Sequence, residues 1–253
     1  MAHLEREQTS PTIFRAIKPK RAFEEISAEI KRLIFKGTLK PGDRLPSETE
    51  LANQFGVGRQ TIREALRLLE LSGFISMQKG GAGGPLVVDT ILNSIGNSFL
   101  DAFQMKRIGV DELTTARLEI EKMVLKAACA HAGDQDIRAL RENVLNARKK
   151  IGQKDQAFEE NILFHKLLAR ASGNHVFVVV MESITTVVGH FRSFLGIDLE
   201  LSRKAVDEHV LILEALVAHD VDKALVVLER HLMDVGEGFK RVAVNQELSN
   251  FIV

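Results

Sequence analysis

Seven of the eight histidines in this 253-residue chain lie beyond residue 90, and three occupy positions where aliphatic residues belong. His165 follows Asn161 by one helical turn, with Leu168 continuing the face. His209 falls among Val206, Ile212, Leu213 and Leu216, and His231 among Ala224, Val227, Leu228 and Val235. A lone histidine on an apolar stripe is usually a satisfied core residue. Three on separate helices, with an amide oxygen one turn from the first, are also the donor set of a cage for a borderline divalent cation. Spacing alone leaves both readings open, and ligand softness admits zinc, nickel or manganese without choosing among them.

Arg117 shares the apolar side of its helix with Leu113, Ile120 and Val124. A guanidinium there needs a partner, because an unpaired charge in a dry interior is strongly destabilising. Glu121, one turn on, offers an intrahelical salt bridge. The other candidate partner is a ligand carboxylate, which arginine holds bidentately.

A second concentration of chemistry runs from Leu45 to Leu86. Ser47 with Glu50 three residues on is a capping-box signature and predicts a helix start. Leu51, Ala52 and Phe55 give that helix its apolar stripe, and Gly56 ends it. A second helix is predicted from near Gly58 to Ser72, with Gly73 as its stop. Ile62, Ala65, Leu66 and Leu69 turn to the core, leaving Arg59, Gln60, Arg63 and Arg67 on the outer face. Two short helices joined by such a turn form a helix-turn-helix, whose second helix enters the DNA major groove. Upstream, Phe23, Ile26, Ile30, Leu33 and Ile34 predict a helix that closes the small core. Downstream, Phe74–Gln78 alternates as a strand, Leu86–Val88 is its candidate partner, and Gly80, Gly81, Gly83 and Gly84 form a tip able to approach a phosphate closely. The tip lacks the Gly-Lys-Ser/Thr ending of a nucleotide-binding loop.

Charge separates these two regions. Residues 1–89 hold 14 Lys/Arg against 11 Asp/Glu, a net of +3, and the remainder hold 20 against 23, a net of −3. The overall zero hides a basic head and an acidic body, so nucleic-acid contact belongs to the head. The expected organisation is a flexible arm over 1–18, a winged helix-turn-helix over 19–89, a linker and first body helix over 90–110, and a helical domain over 111–253. Arg15 and Lys18 of the arm, with Lys20 and Arg21 just beyond it, could add phosphate contacts. The body is predicted to be an all-α bundle of six or seven helices, punctuated by Gly109, Gly133, Gly152, Gly173, Gly196 and Asp220. The valine-rich run Val176–Met181 reads as the start of a buried helix. It is too short to span a bilayer. The single Cys129 permits no disulfide within the chain, and residues 1–11 are polar, so a cytoplasmic protein with no membrane partner is expected.

The stretch from Arg21 to Val88 strongly resembles the winged-helix domain of the GntR family of bacterial transcription regulators. The resemblance implies that Arg59 and Arg63 contact bases or phosphates and that Lys79 and Gly80 reach the minor groove. It also puts Arg44, Thr49, Gly58, Gln60 and Thr61 among the DNA-binding positions. Thr49 stands where arginine is frequent, Gly58 where Ser or Thr is usual, and Gln60 where Thr is common. Gly58 therefore removes a capping hydroxyl. The motifs Asn161–His165, Ala171–Asn174, Glu208-His209 and Arg230-His231-Leu232 resemble the FCD effector-binding domain of the FadR branch, over roughly Asp111 to Phe239. That resemblance implies a metal held at Asn161, His165, His209 and His231, with Asn161 replacing the carboxylate of metal-binding members, and an effector pocket near Arg117.

The expected function is that of a homodimeric, ligand-responsive regulator, a repressor, which binds a palindromic operator in double-stranded DNA. A divalent metal and a small carboxylate effector (a hydroxy, keto or sugar acid) would occupy its body. The segment Asp89–Arg107 is the expected transmitter between the two. The competing readings are a metal-dependent hydrolase with an attached nucleic-acid module and an architectural DNA-binding protein. No His-Glu-x-x-His and no recognisable nucleophile motif supports the hydrolase, so no enzyme activity is expected.

Overall fold

Reciprocal capping sets the first functional helix. The computed structural model describes residues 22–78, 84–153, 155, 157–191 and 199–245, and its chain divides into two units, 1–89 and 90–253. In the first unit α1 is Ala22–Phe35, α2 is Glu48–Phe55 and α3 is Arg59–Leu71. The Ser47 hydroxyl accepts from the Glu50 amide at 3.3 Å, while the Glu50 carboxylate accepts from the Ser47 amide at 2.8 Å. Gly56, at φ +65°, ends α2. Gly58 opens α3 with no side-chain cap, as its missing hydroxyl requires. Helix α3 packs on α1 and α2, burying Ile62, Ala65, Leu66 and Leu69 together with Ile26, Ile30 and Leu51.

Strand β1 (Ile75–Gln78) pairs antiparallel with β2 (Gly84–Val87), Ile75 opposite Val87 and Gln78 opposite Gly84. The second strand starts two residues before the predicted Leu86. Its other edge is taken by residues 42–45: Val87 donates to the Asp43 carbonyl at 2.8 Å, and the Leu45 amide donates to Pro85 at 2.9 Å. That edge pairing is remote in sequence and leaves no local signal.

The second unit contains seven α-helices among the described residues. They are α4 (Ile91–Ala102), α5 (Val110–His131), α6 (Asp134–Gly152), α7 (Phe158–Ala171), α8 (His175–Phe191), α9 (Leu199–Val217) and α10 (Val221–Asn245), with a π turn at Phe103–Arg107 continuing α4. Gly109 and Gly133 open α5 and α6, their amides donating to the Glu112 and Asp136 carboxylates at 2.9 and 3.0 Å. Helix α5 packs on α7 and α10, α9 on α6 and α10, and α8 on α4 and α7. Between them Leu125, Leu140, Phe164, Met181, Ile212 and Leu228 are fully buried. The run Val176–Met181 is helical as predicted, but its first turn is at the surface. Val176 is 67% exposed, and full burial begins only at Met181.

Helix α4 approaches α8 through Gly96. A Cβ there would lie 2.4 Å from Oγ1 and 2.9 Å from Cβ of Thr186. Helix propensity alone would favour Gly96→Ala by about 1 kcal/mol. Overpacking against a stiff β-branched neighbour opposes it by about 1–3 kcal/mol. Gly96→Ala is therefore expected to lower the urea unfolding midpoint, and adding Thr186→Ala should recover part of the loss. A midpoint unchanged or raised in the single variant would contradict this close approach.

Candidate metal centre and nucleic-acid interface

Helices α7, α9 and α10 each bring one histidine to the same buried spot. His165, His209 and His231 are all at most 3% exposed, and Nε2 of His231 lies 3.2 Å from Nε2 of both others. The opposite ring edges are held by carboxylates. His165 Nδ1 donates to Glu121 Oε2 at 2.5 Å, and His231 Nδ1 donates to Glu208 Oε2 at 3.2 Å. In a neutral ring only one nitrogen carries a proton, so these bonds put it on Nδ1 and leave Nε2 as a bare lone pair. His209 could donate to His231, yet the His165–His231 pair still faces acceptor to acceptor.

A metal ion between the lone pairs would satisfy such a pair. Two ligand nitrogens at about 2.0–2.1 Å from one ion stand roughly 3.0–3.4 Å apart, which is the spacing seen here. The residues therefore fit a divalent metal, and the ligand atoms of all three histidines lie within 4.8 Å of one another. The His209 ring is stacked on Phe164, with centroids 4.0 Å apart and planes 11° from parallel. Asn161, one turn before His165 on α7, carries a buried Oδ1 with no hydrogen-bond partner. An amide oxygen in that condition is an available ligand.

Each carboxylate is tied to an arginine. Arg117, 5% exposed, donates from Nε to Glu121 Oε1 at 2.6 Å, and Arg230 donates from Nε to Glu208 Oε1 at 2.9 Å. Burial alone would raise the Glu121 carboxyl, but the charges and hydrogen bonds of His165 and Arg117 outweigh it and hold the group at about 2. Burial pushes His165 down to about 4 against the pull of Glu121. Burial, joined by the neighbouring histidines and Arg117, takes His209 well below the usual histidine range. Glu208 is lowered too, the hydrogen bonds from His231 and Arg230 overcoming its burial. Both histidines are thus neutral near pH 7, the form a metal ligand requires.

In the first unit Arg59, Gln60 and Arg63 lie exposed on the outer face of α3, and Thr61 is half-buried in its first turn. Gly58 and Thr49 are exposed beside them, and exposed Arg44 bridges to Leu86 of β2. Lys79 and Gly80 lie outside the described residues. Glu48 of α2 accepts from Arg63 Nε at 2.8 Å and stands 3.6 Å from Arg59 Nη2. It orients both arginines in the free protein, and a phosphate or base edge would have to replace it.

Glu48, Glu121, Glu208, Arg230 and Phe164 went unassigned in the sequence, apart from Glu121 as a partner of Arg117. Glu208 did leave a signal: it sits between Ala205 and Ile212 on an apolar stripe, where a carboxylate needs a buried partner. Glu121, one turn from a buried arginine, left the same signal.

Residues 112–234 match the FCD domain, and residues 22–83 match the bacterial regulatory proteins of the gntR family. The HTH-type transcriptional repressor NanR of Enterobacter sp. (strain 638) is 25% identical over 255 residues, covering 94% of this chain and 97% of that one. NanR of Escherichia coli (strain K12) is 26% identical over 238 residues, 90% of each chain. A Streptococcus agalactiae GntR structure covers 85% of this chain and 99% of its own at a TM-score of 0.66 and 21% identity, which shows the shared fold. These are transcription regulators and not enzymes, so the hydrolase reading falls. No helix of the described residues is long and apolar enough to cross a membrane.

The depressed histidines predict acid lability of metal-free protein. His165 and His209 titrate at 6.5 when unfolded but lower when folded, so the unfolded chain takes up protons first. Stability should fall as pH drops from 6.5 toward 4, and Glu121 extends the loss from 4.5 toward 2. Melting temperatures across this range test it, and a flat profile between pH 6.5 and 4.5 would contradict the burial of neutral imidazoles.

Proposed function

This chain belongs to the GntR family of bacterial regulatory proteins and carries an FCD domain, and from that premise we propose that it is a metal- and carboxylate-responsive transcriptional repressor. The observation that carries the metal part is the convergence of Nε2 lone pairs at 3.2 Å, with tautomers held by Glu121 and Glu208. His165, His209, His231 and Asn161 are the ligands in this reading. The bound ion supplies a positive anchor for an organic acid, and Arg117 assists with guanidinium nitrogens that Glu121 does not use. The repressor sign follows the names of the NanR relatives. A homodimer would present two α3 helices to a palindromic operator, because operator symmetry mirrors protein symmetry.

The decisive experiment is elemental analysis after exposure to zinc, nickel and manganese in acetate buffer, which supplies a carboxylate. About one ion per chain is expected, with binding abolished by His209→Ala or His231→Ala. Protein that takes up none of these ions would refute the metal centre. For the effector, Arg117→Lys should spare operator binding while raising the concentration of organic acid needed for release. An unchanged response would leave Arg117 as the structural partner of Glu121 alone.

On the DNA side, Arg59→Ala should weaken specific binding by about 1–3 kcal/mol if the side chain contacts a base bidentately. Lys79→Ala should weaken all sequences evenly and flatten the salt dependence. A mobility-shift series in which the Arg59 variant matches wild type on the operator would remove Arg59 from base recognition.

A further inference from the structure

The charges around the three histidines are balanced before any cation enters. Among the described residues of the second unit, the buried carboxylates are Glu121, Glu182 and Glu208. Each is committed: Glu121 to Arg117 at 2.6 Å, Glu182 to Lys166 at 2.5 Å, and Glu208 to Arg230 at 2.9 Å. Glu160, beside Asn161 in the chain, has its charge matched by Lys150, which meets Oε1 at 2.7 Å, while its buried Oε2 accepts no hydrogen bond. The donors themselves, imidazole nitrogens and one amide oxygen, bring no negative charge. A divalent ion among them would bring two positive charges into the interior, where each of these four carboxylates already has its charge matched by a cation. Uncompensated buried charge is strongly unfavourable.

Resting on the metal reading above, we propose that cation and anion bind as one unit: the incoming carboxylate is the counter-charge the chain withholds, so metal retention depends on it. Asn161 sets this dependence. Its buried, unpartnered Oδ1 offers an electron pair without a charge. Aspartate at the same position would offer both, and the chain would then hold the cation unaided. By linkage, whatever factor the anion adds to metal affinity the metal adds to anion affinity, so each strengthens the hold on the other.

Zinc affinity measured by competition with a chelating dye tests this, in acetate and in its neutral isostere acetamide. Ionic strength is held by sodium perchlorate, and the dye is calibrated in each medium. Wild type should bind zinc on the order of tenfold more tightly in acetate. N161D should bind tightly in both media, whereas N161A, still neutral, should keep the acetate dependence. Equal wild-type affinity in the two media overturns the coupling while leaving the metal centre intact. No zinc uptake in either medium overturns the metal reading along with it. An acetate dependence that persists in N161D removes Asn161 as its cause. The wild-type comparison requires no variant to fold.

Discussion

A helical interior that encloses three imidazoles, two carboxylates and a guanidinium must satisfy them from within. Here two parallel chains of contact do so, Arg117–Glu121–His165 and Arg230–Glu208–His231, meeting where His165 and His231 face each other. The links join α5 to α7 and α9 to α10, so the mutual register of four helices is tied to one polar cluster. Truncating Glu121 would leave the buried charge of Arg117 without its partner, which is more damaging than never having placed the pair. Apolar packing around Phe164, Ile212 and Leu228 would tolerate small shifts between helices, but bonds of 2.5–3.2 Å would not.

The same logic explains why the imidazoles are usable. Burial keeps His165 and His209 neutral, and the carboxylates hold Nδ1 of His165 and His231. The lone pairs that remain point inward, toward each other. An arrangement that is poor as a set of hydrogen bonds is good as a set of ligands, and this asymmetry distinguishes the cluster from three satisfied core histidines. Phe164 adds a flat wall that holds the third ring in plane without competing for its nitrogens.

The first unit uses charge in the opposite manner. Its arginines are exposed, and Glu48 engages them only at the solvent boundary, where an ion pair contributes little stability. The pair is readily exchanged for a phosphate or base edge. What is rigid there is the apolar back of α3 and the capping box of α2, which aim the polar face without occupying it.

Much of this was legible in the residues themselves. Local rules sufficed for α2 and α3, because the Ser47–Glu50 box, Gly56 and the spacing of Ile62, Ala65, Leu66 and Leu69 act within one or two turns. The same periodicity marked His165, His209 and His231 as misplaced polar groups on apolar stripes, and a count of charged residues separated head from body. Other features came only with tertiary structure. Pairing of β2 with residues 42–45, the surface position of Val176, the reach of Glu48 to α3 and the Gly96–Thr186 approach all join residues with no local relation. The tautomers of His165 and His231 belong with them, since a ring's proton follows the acceptor nearest in space, and those acceptors stand 44 and 23 residues away. Sequence determined which side chains are buried polar groups in want of partners. Packing alone decided the partners, because hydrogen bonds and charges act over a few ångströms of space and not along the chain.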